Sequence, residues 1–486
     1  MTAPGTDRRF RLVSAVTLIV PTVAPIAMGA AVASLTPSHG GFPVAVAVIG
    51  LVLLGLAASQ VVMIRRIANG ASLAAIVARG LGRPAGLGAA WLSIAAYGGL
   101  QIALYGMVGP AVSQLLGRPV AWWLPTLAAW ALVTATGLGR AQLPRQATEP
   151  GRQWGLILLT CLEIGVVVGI VLVAVLGRQA TGPDAAGLLR PGAAVLVLPA
   201  LFALAGVETS VRFAESGSAR GAAGTVVATA VSATVLFALT WALTTPDGQE
   251  VLASPAYGGL VLVSVLAALA GGQATVIRHV QLQRLEWVRP GDLPRLNTPR
   301  VTIGFAAVAL AAILAVAVAG GDPTTWLLRR LGIVSSYGLL VLFALAALST
   351  VAFLGYQPGR FANVLRPLAV PAVATLALGG MLAVAAGMLD RAVGVSMPTA
   401  LVLAFAVPAL VAVGAGWSLV VRQRWPYRYW AIGLGANSLT GVFLPDQISA
   451  APPGAHRTPA LPAATRTALT ASSLTTPGAP ERVTQP

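Results

Sequence analysis

Apolar runs long enough to cross a lipid bilayer follow one another along almost the whole chain, and the loops between them carry their charge mainly as arginine. Hydrocarbon offers no water to backbone N–H and C=O groups, so each run must close its own hydrogen bonds as a helix. A helical span needs about 20 residues. That criterion gives twelve runs, near 12–35, 42–63, 85–116, 121–139, 154–177, 193–214, 222–244, 258–283, 301–320, 331–355, 366–389 and 397–421. The third is long enough to tilt in the bilayer. Only 9% of residues are charged and mean hydropathy is +0.83, whereas a soluble domain carries about 25% charged residues. The expectation is an all-α polytopic membrane protein. The first run exceeds the short apolar core of a secretory signal and more spans follow, so it reads as the first membrane helix.

A net charge of +17 would suggest nucleic acid in a soluble protein, but here it follows the loops. The side facing the N-terminus carries 22 arginines and the opposite side six, with Arg329–Arg330 as the local exception. This bias places both termini in the cytoplasm of a bacterial cell, with the lipid bilayer as partner and no nucleic acid. Residues 1–11 then form a cytoplasmic segment, 12–428 the transmembrane domain and 429–486 a cytoplasmic tail, disordered from about 445, where Pro, Ala, Thr and Ser replace apolar periodicity. All 31 basic residues are arginine, which reads as the imprint of a G+C-rich genome. The single cysteine, Cys161, cannot form an intrachain disulfide. No metal site or cofactor is expected. An enzyme is not expected either, for the chain has no His pair, Asp-rich motif or nucleophile elbow.

Within this apolar background the interruptions stand out. The first span contains Pro21, Pro25 and Gly29, and proline both lacks a donor and clashes with the preceding turn, so a kink or break is expected there. The sixth contains Leu201–Ser210, LFALAGVETS, in which Gly206 precedes Glu208. Glycine lowers helix propensity by roughly 1 kcal/mol relative to alanine, and an intramembrane carboxylate is costly unless it meets a partner or a cavity. The bland alternative is a kinked helix with Glu208 protonated or paired to Arg212. Interruptions at the first helix of each half of a repeated bundle point to a substrate site between them. Glu163, in the fifth span, is the other carboxylate deep in the apolar region: a proton-relay group, or the partner of an arginine near a helix end.

Three further features are read with alternatives. Tyr97, Gln101 and Tyr105 recur every fourth residue and share one helix face, either lining a pore or holding helices together, the latter favoured. Ser72–Leu81 has helical spacing, for an interfacial helix or one packed under the bundle. Gly271, Gly272 and Gln273 permit close helix contact, and His279 beyond them reads as a solvated residue at a helix end.

Several stretches resemble one family. IVARGLGRPAGLGAAWLSIAAYGGLQIALYG (Ile76–Gly106) resembles the segment joining helices 2 and 3 of actinobacterial amino acid permeases in the amino acid–polyamine–organocation superfamily. LFALAGVETSVRFAE resembles that family's sixth helix, TVAPIAMGAAV its first-helix break and YWAIGLGAN a C-terminal segment. The resemblance covers roughly residues 10–440. It implies a LeuT-like five-plus-five inverted repeat with broken helices 1 and 6 and two extra helices. The implied activity is transport of an amino acid or related small amine by alternating access. The substrate's carboxylate and amine would bind at the breaks: Thr22, Val23, Ala24, Pro25 and Ile26 on one side, Ala205, Gly206, Val207, Glu208 and Thr209 on the other. With no lysine available, Glu208 or Glu163 would carry proton coupling, Na⁺ being the alternative ion. Departures from the family pattern at Gly70–Ala74, Val207 and Ser216–Gly224 leave a second reading open, a transport-inactive sensor or scaffold that keeps the permease fold.

Overall fold

The computed structural model describes residues 24–35, 41–64, 72–142, 150–177, 184, 186–187, 190, 192–208, 219–286, 298–356 and 361–433. Every element among them is helical. In chain order these are α1 (Pro25–Leu35), α2 (Phe42–Ile64), α3 (Leu73–Gly80), α4 (Arg83–Leu104), α5 (Val108–Leu116), α6 (Trp123–Gln142) and α7 (Pro150–Leu176). There follow α8 (Val197–Ala203), α9 (Ala219–Ala242), α10 (Pro246–Ala253), α11 (Pro255–Glu286) and α12 (Thr298–Val318). The last are α13 (Gly332–Gly355), α14 (Phe361–Gly387), α15 (Leu389–Val393), α16 (Met397–Arg424) and α17 (Pro426–Ala431). A tighter turn, Tyr105–Met107, joins α4 to α5, and a wider π-type turn, Thr324–Leu331, leads into α13.

Among the described residues, nine helical segments are long and apolar enough to cross a membrane. Three of the twelve expected spans take other forms. Only Pro25–Leu35 of the first is described, the sixth is the short run Ala193–Ala203, and the fourth is α6. The chain is a multi-pass membrane protein. Leu158, Leu176, Val318, Leu376 and Phe405 are each more than two-thirds exposed, apolar side chains turned outward as lipid requires.

α4 forms the buried centre, packed against α3, α11, α13 and α16. Small residues allow this crowding. A Cβ on Gly88 would lie 2.2 Å from the Val411 carbonyl oxygen, so α4 and α16 meet backbone to backbone. α3 lies under the bundle rather than on the membrane surface: Leu73, Ala75, Ile76, Val77 and Ala78 are all buried. Ser72 caps its N-terminus through the Ala75 amide, and the Ser349 hydroxyl of α13 donates to the Ile76 carbonyl at 2.6 Å.

Candidate functional site

The break in the first helix falls at Ala24–Pro25. Ala24 has φ 45°, the one described non-glycine residue with positive φ, a conformation that opposes L side chains. Helix α1 then starts at Pro25, whose missing N–H is no loss at a first helical position. The next orphan amides find partners on distant helices. Ile26 N–H donates to Glu163 Oε2 of α7 at 3.3 Å, and Ala27 N–H to Ser264 Oγ of α11 at 3.0 Å. Met28 N–H is the first of them to bond back along the chain, to the Ala24 carbonyl. Glu163 is 1% exposed and Tyr257 lies near the same carboxyl. Glu163 Oε1 and the Tyr257 hydroxyl have no hydrogen-bond partner among the described residues. The fifth-span carboxylate therefore caps the first half-helix instead of meeting an arginine.

The sixth-span break follows α8. Helical bonding gives way to a turn over Leu204–Gly206 in which Val207 N–H reaches the Leu204 carbonyl, and Gly206 takes φ 99°, open to glycine at little strain. Glu208 folds back on this turn, its carboxylate accepting from Gly206 N–H at 2.9 and 3.2 Å. The sequence singled out this Gly–x–Glu spacing, and the turn uses it. Thr22, Val23 and Thr209, named with these residues, lie outside the described residues, as do Arg212 and the chain beyond Gly433.

α1 and α8 pack on each other. Beside them lies a small cavity of about 50 Å³, lined by Met28, Ala205 and Phe202 with residues of α4 and α11. That is well below the ~300–1,000 Å³ typical of ligand pockets, so in this conformation the space has room for water rather than an amino acid. Of the residues assigned to substrate from the sequence, Ala205 reaches the lining, while Ala24, Ile26 and Val207 are packed in the core around it.

Polarity in the cavity comes from Tyr97, Gln101 and Thr275. Gln101 is 2% exposed; its amide nitrogen donates to the Leu269 carbonyl at 3.2 Å, and its Oε1 has no partner among the described residues. The Tyr97–Gln101–Tyr105 stripe thus divides. Tyr97 and Gln101 line the cavity, Gln101 also binds α4 to α11, and Tyr105 is buried in the tight turn. Gly272 leaves Gln101 its place, since a Cβ there would lie 2.9 Å from Gln101 Cγ. His279 is partly exposed, and its ring also stacks on Tyr97 with centroids 4.8 Å apart. Sequence reasoning passed over Ser264, Tyr257 and Thr275. A serine or threonine inside an apolar run is the available signal, because such hydroxyls often bond across helices.

No family model matches the chain, and no curated protein does. Solved structures do. A mutant of the manganese transporter of Eremococcus coleocola superposes with TM-score 0.55 at 16% identity, covering 87% of this chain and 97% of that one. A second mutant gives TM-score 0.53 at the same identity and coverage. The same transporter in complex with an aromatic bis-isothiourea compound gives 0.51 at 16% identity, over 85% and 94% of the two chains. Likeness at this identity is one of fold: the chain has the all-helical, multi-span fold of a membrane transporter.

Proposed function

We propose that this protein is a secondary active transporter, not an enzyme, which moves an amino acid or related small amine across the bacterial cell membrane by alternating access, coupled to protons. The reading takes the bundle as a five-plus-five inverted repeat with α1 and α8 at its two breaks. The observation that carries it is the bond between Glu163 and the first amide of α1, on a half-helix that also lines a small cavity through Met28. An ionised carboxylate at a helix N-terminus interacts favourably with both the orphan amide and the helix dipole, together worth roughly 2 kcal/mol. Protonating Glu163 removes that attraction, frees the amide and lets the half-helix swing. Proton loading and movement of the broken helix are thereby one event. With the proton on Glu163, the Ile26 N–H becomes a donor for a substrate carboxylate, and Gln101 Oε1 is an acceptor for its ammonium.

The neighbouring folds are manganese transporters by name, so a divalent cation is the competing cargo. Such ions take several oxygen ligands, and among the described residues one carboxylate stands at each break, Glu163 already bonded to Ile26 N–H and Glu208 to Gly206 N–H. No group of three His, Cys, Asp or Glu side chains occurs among the described residues.

Uptake into proteoliposomes, with labelled amino acids, amines and Mn²⁺ and an imposed proton gradient, tests this function. Gradient-driven uptake of one amino-acid or amine class, lost in Glu163→Gln, is the expected result. Mn²⁺ uptake with no organic substrate would transfer the assignment to a metal transporter. Folded protein that moves nothing would favour the sensor or scaffold.

A further inference from the structure

A second cavity lies along the same two helices as the first. On α4 the central cavity is lined by Tyr97, Leu100, Gln101 and Leu104, and the second by Gly86 and Ala90, earlier on that helix. On α11, which runs the other way, Ala268, Gly272 and Thr275 line the central cavity, while His279, Leu282 and Gln283 line the second. The two spaces form one column between α4 and α11, running toward the face on which Arg79 and Arg83 lie. A ring stack links the two linings: Tyr97, from the central cavity, lies against His279, from the outer vestibule, at an inclination of 28°. His279 is held in that position, because its Nδ1–H donates to the Thr275 carbonyl at 2.8 Å.

The outer end of the vestibule is also covered. Ile432 and Gly433 line it; Ile432 is 5% exposed, in a cluster with Ala78 and Leu87 and flanked by Trp91 and Tyr429. Gly433 has φ 82°, and a Cβ there would lie 2.6 Å from that of Ala78. The Arg83 guanidinium sits 4.3 Å from the centre of the Trp430 ring and 5.8 Å from that of Tyr429, which ties the covering segment to the start of α4.

We infer that the Tyr97–His279 stack is the gate of the central cavity toward the arginine-rich face, and that the segment ending in Ile432–Gly433 is a lid over the vestibule outside it. A solute leaving by this route passes two barriers in series: ring separation joins cavity to vestibule, and lifting of the lid opens the vestibule. The inference concerns the path and holds for any cargo.

Cysteine accessibility tests it without a substrate. In a Cys161→Ser background, Ala268→Cys reports on the central cavity and Ala90→Cys on the vestibule. A membrane-impermeant methanethiosulfonate is applied to one face in inside-out vesicles and to the other in right-side-out vesicles. His279→Ala and Tyr97→Ala are expected to speed labelling of Ala268→Cys from the arginine-rich face roughly tenfold or more, as a minor open state becomes common. Tyr97→Phe, which keeps the stack, leaves the rate unchanged. Truncation after Ala431 speeds labelling at Ala90→Cys and not at Ala268→Cys. Tyr97→Leu, which keeps apolar bulk, replaces the alanine variant if that fails to fold. Unchanged labelling of Ala268→Cys in folded stack variants, or an equal rise from both faces, would overturn the gate. Unchanged labelling of Ala90→Cys after truncation would overturn the lid.

Discussion

Glu163 and Ile26 are 137 residues apart in the chain and meet at 3.3 Å, carboxylate to backbone amide, where the first helix restarts. Removing that acceptor strands a buried donor. Glu163→Ala should destabilise the protein by about 1–3 kcal/mol, read as a lower unfolding midpoint in detergent. Glu163→Gln keeps an acceptor and should lose less than half as much, while gradient-driven accumulation falls to the level set by exchange alone. Equal stability losses in the two variants would remove the carboxylate's special standing.

The turn after α8 rests on a glycine. Gly206→Ala places a Cβ at φ 99°, a strain of about 1–3 kcal/mol, and shifts the amide that Glu208 receives. Reduced stability and uptake are expected together. Glu208→Gln should spare most of the stability, because Glu208 is partly exposed and an amide oxygen can still accept from Gly206. Thermal unfolding of the two variants side by side separates backbone strain from the lost charge.

Contact between α3 and α13 is tighter still. A Cβ on Gly80 would fall 2.0 Å from the Ser349 carbonyl oxygen, a backbone atom. Gly80→Ala should therefore cost about 1–3 kcal/mol through overpacking, and Ser349→Ala about 1 kcal/mol through its lost bond to Ile76. Thermal unfolding midpoints in detergent should fall in both, further in Gly80→Ala.

At the start of the π-type turn, Asp322 supplies a pH-dependent cap. Slight burial pushes its carboxyl up, but hydrogen bonds from Thr324 and Thr325 outweigh this and hold it below its ordinary value of 3.8. A carboxyl with a depressed folded-state pKa contributes stability that is present above the unfolded value and lost as pH falls through the folded one. Asp322→Asn should unfold at a lower temperature than wild type at neutral pH. The gap should narrow as pH drops below about 4. A gap that stays constant between pH 7 and 3 would assign the effect to packing.

Much of the architecture is legible in the sequence because span formation depends on summed hydropathy, which needs no partner. The breaks at Pro25 and Gly206 are legible for a similar reason, since proline and glycine act on their own backbone. Partnership is the part that is hidden. Ser264 meets Ala27 across 237 residues, and nothing in VLVSVLAAL says which helix that hydroxyl faces. Glu163 was visible as an anomaly, but its role as a cap depends on how α1 and α7 pack. His279 was half legible: its arginine-rich surroundings suggest water and it is partly exposed, but its stack on Tyr97 depends on how α4 and α11 pack. Hydropathy also left open whether α3 lies in the membrane surface or beneath the bundle. Packing of Gly80 on Ser349 decides that.

That last contact has a mechanical consequence. Beside Gly80 and Ile76, α3 meets α13 through backbone atoms and a serine hydroxyl, which leaves little slack at that point. The pair should translate as a single lever. A tilt of α13 at the far end, near its π-type turn, would then be carried to α3 and Arg79, so that one face of the bundle would register what had happened at the other.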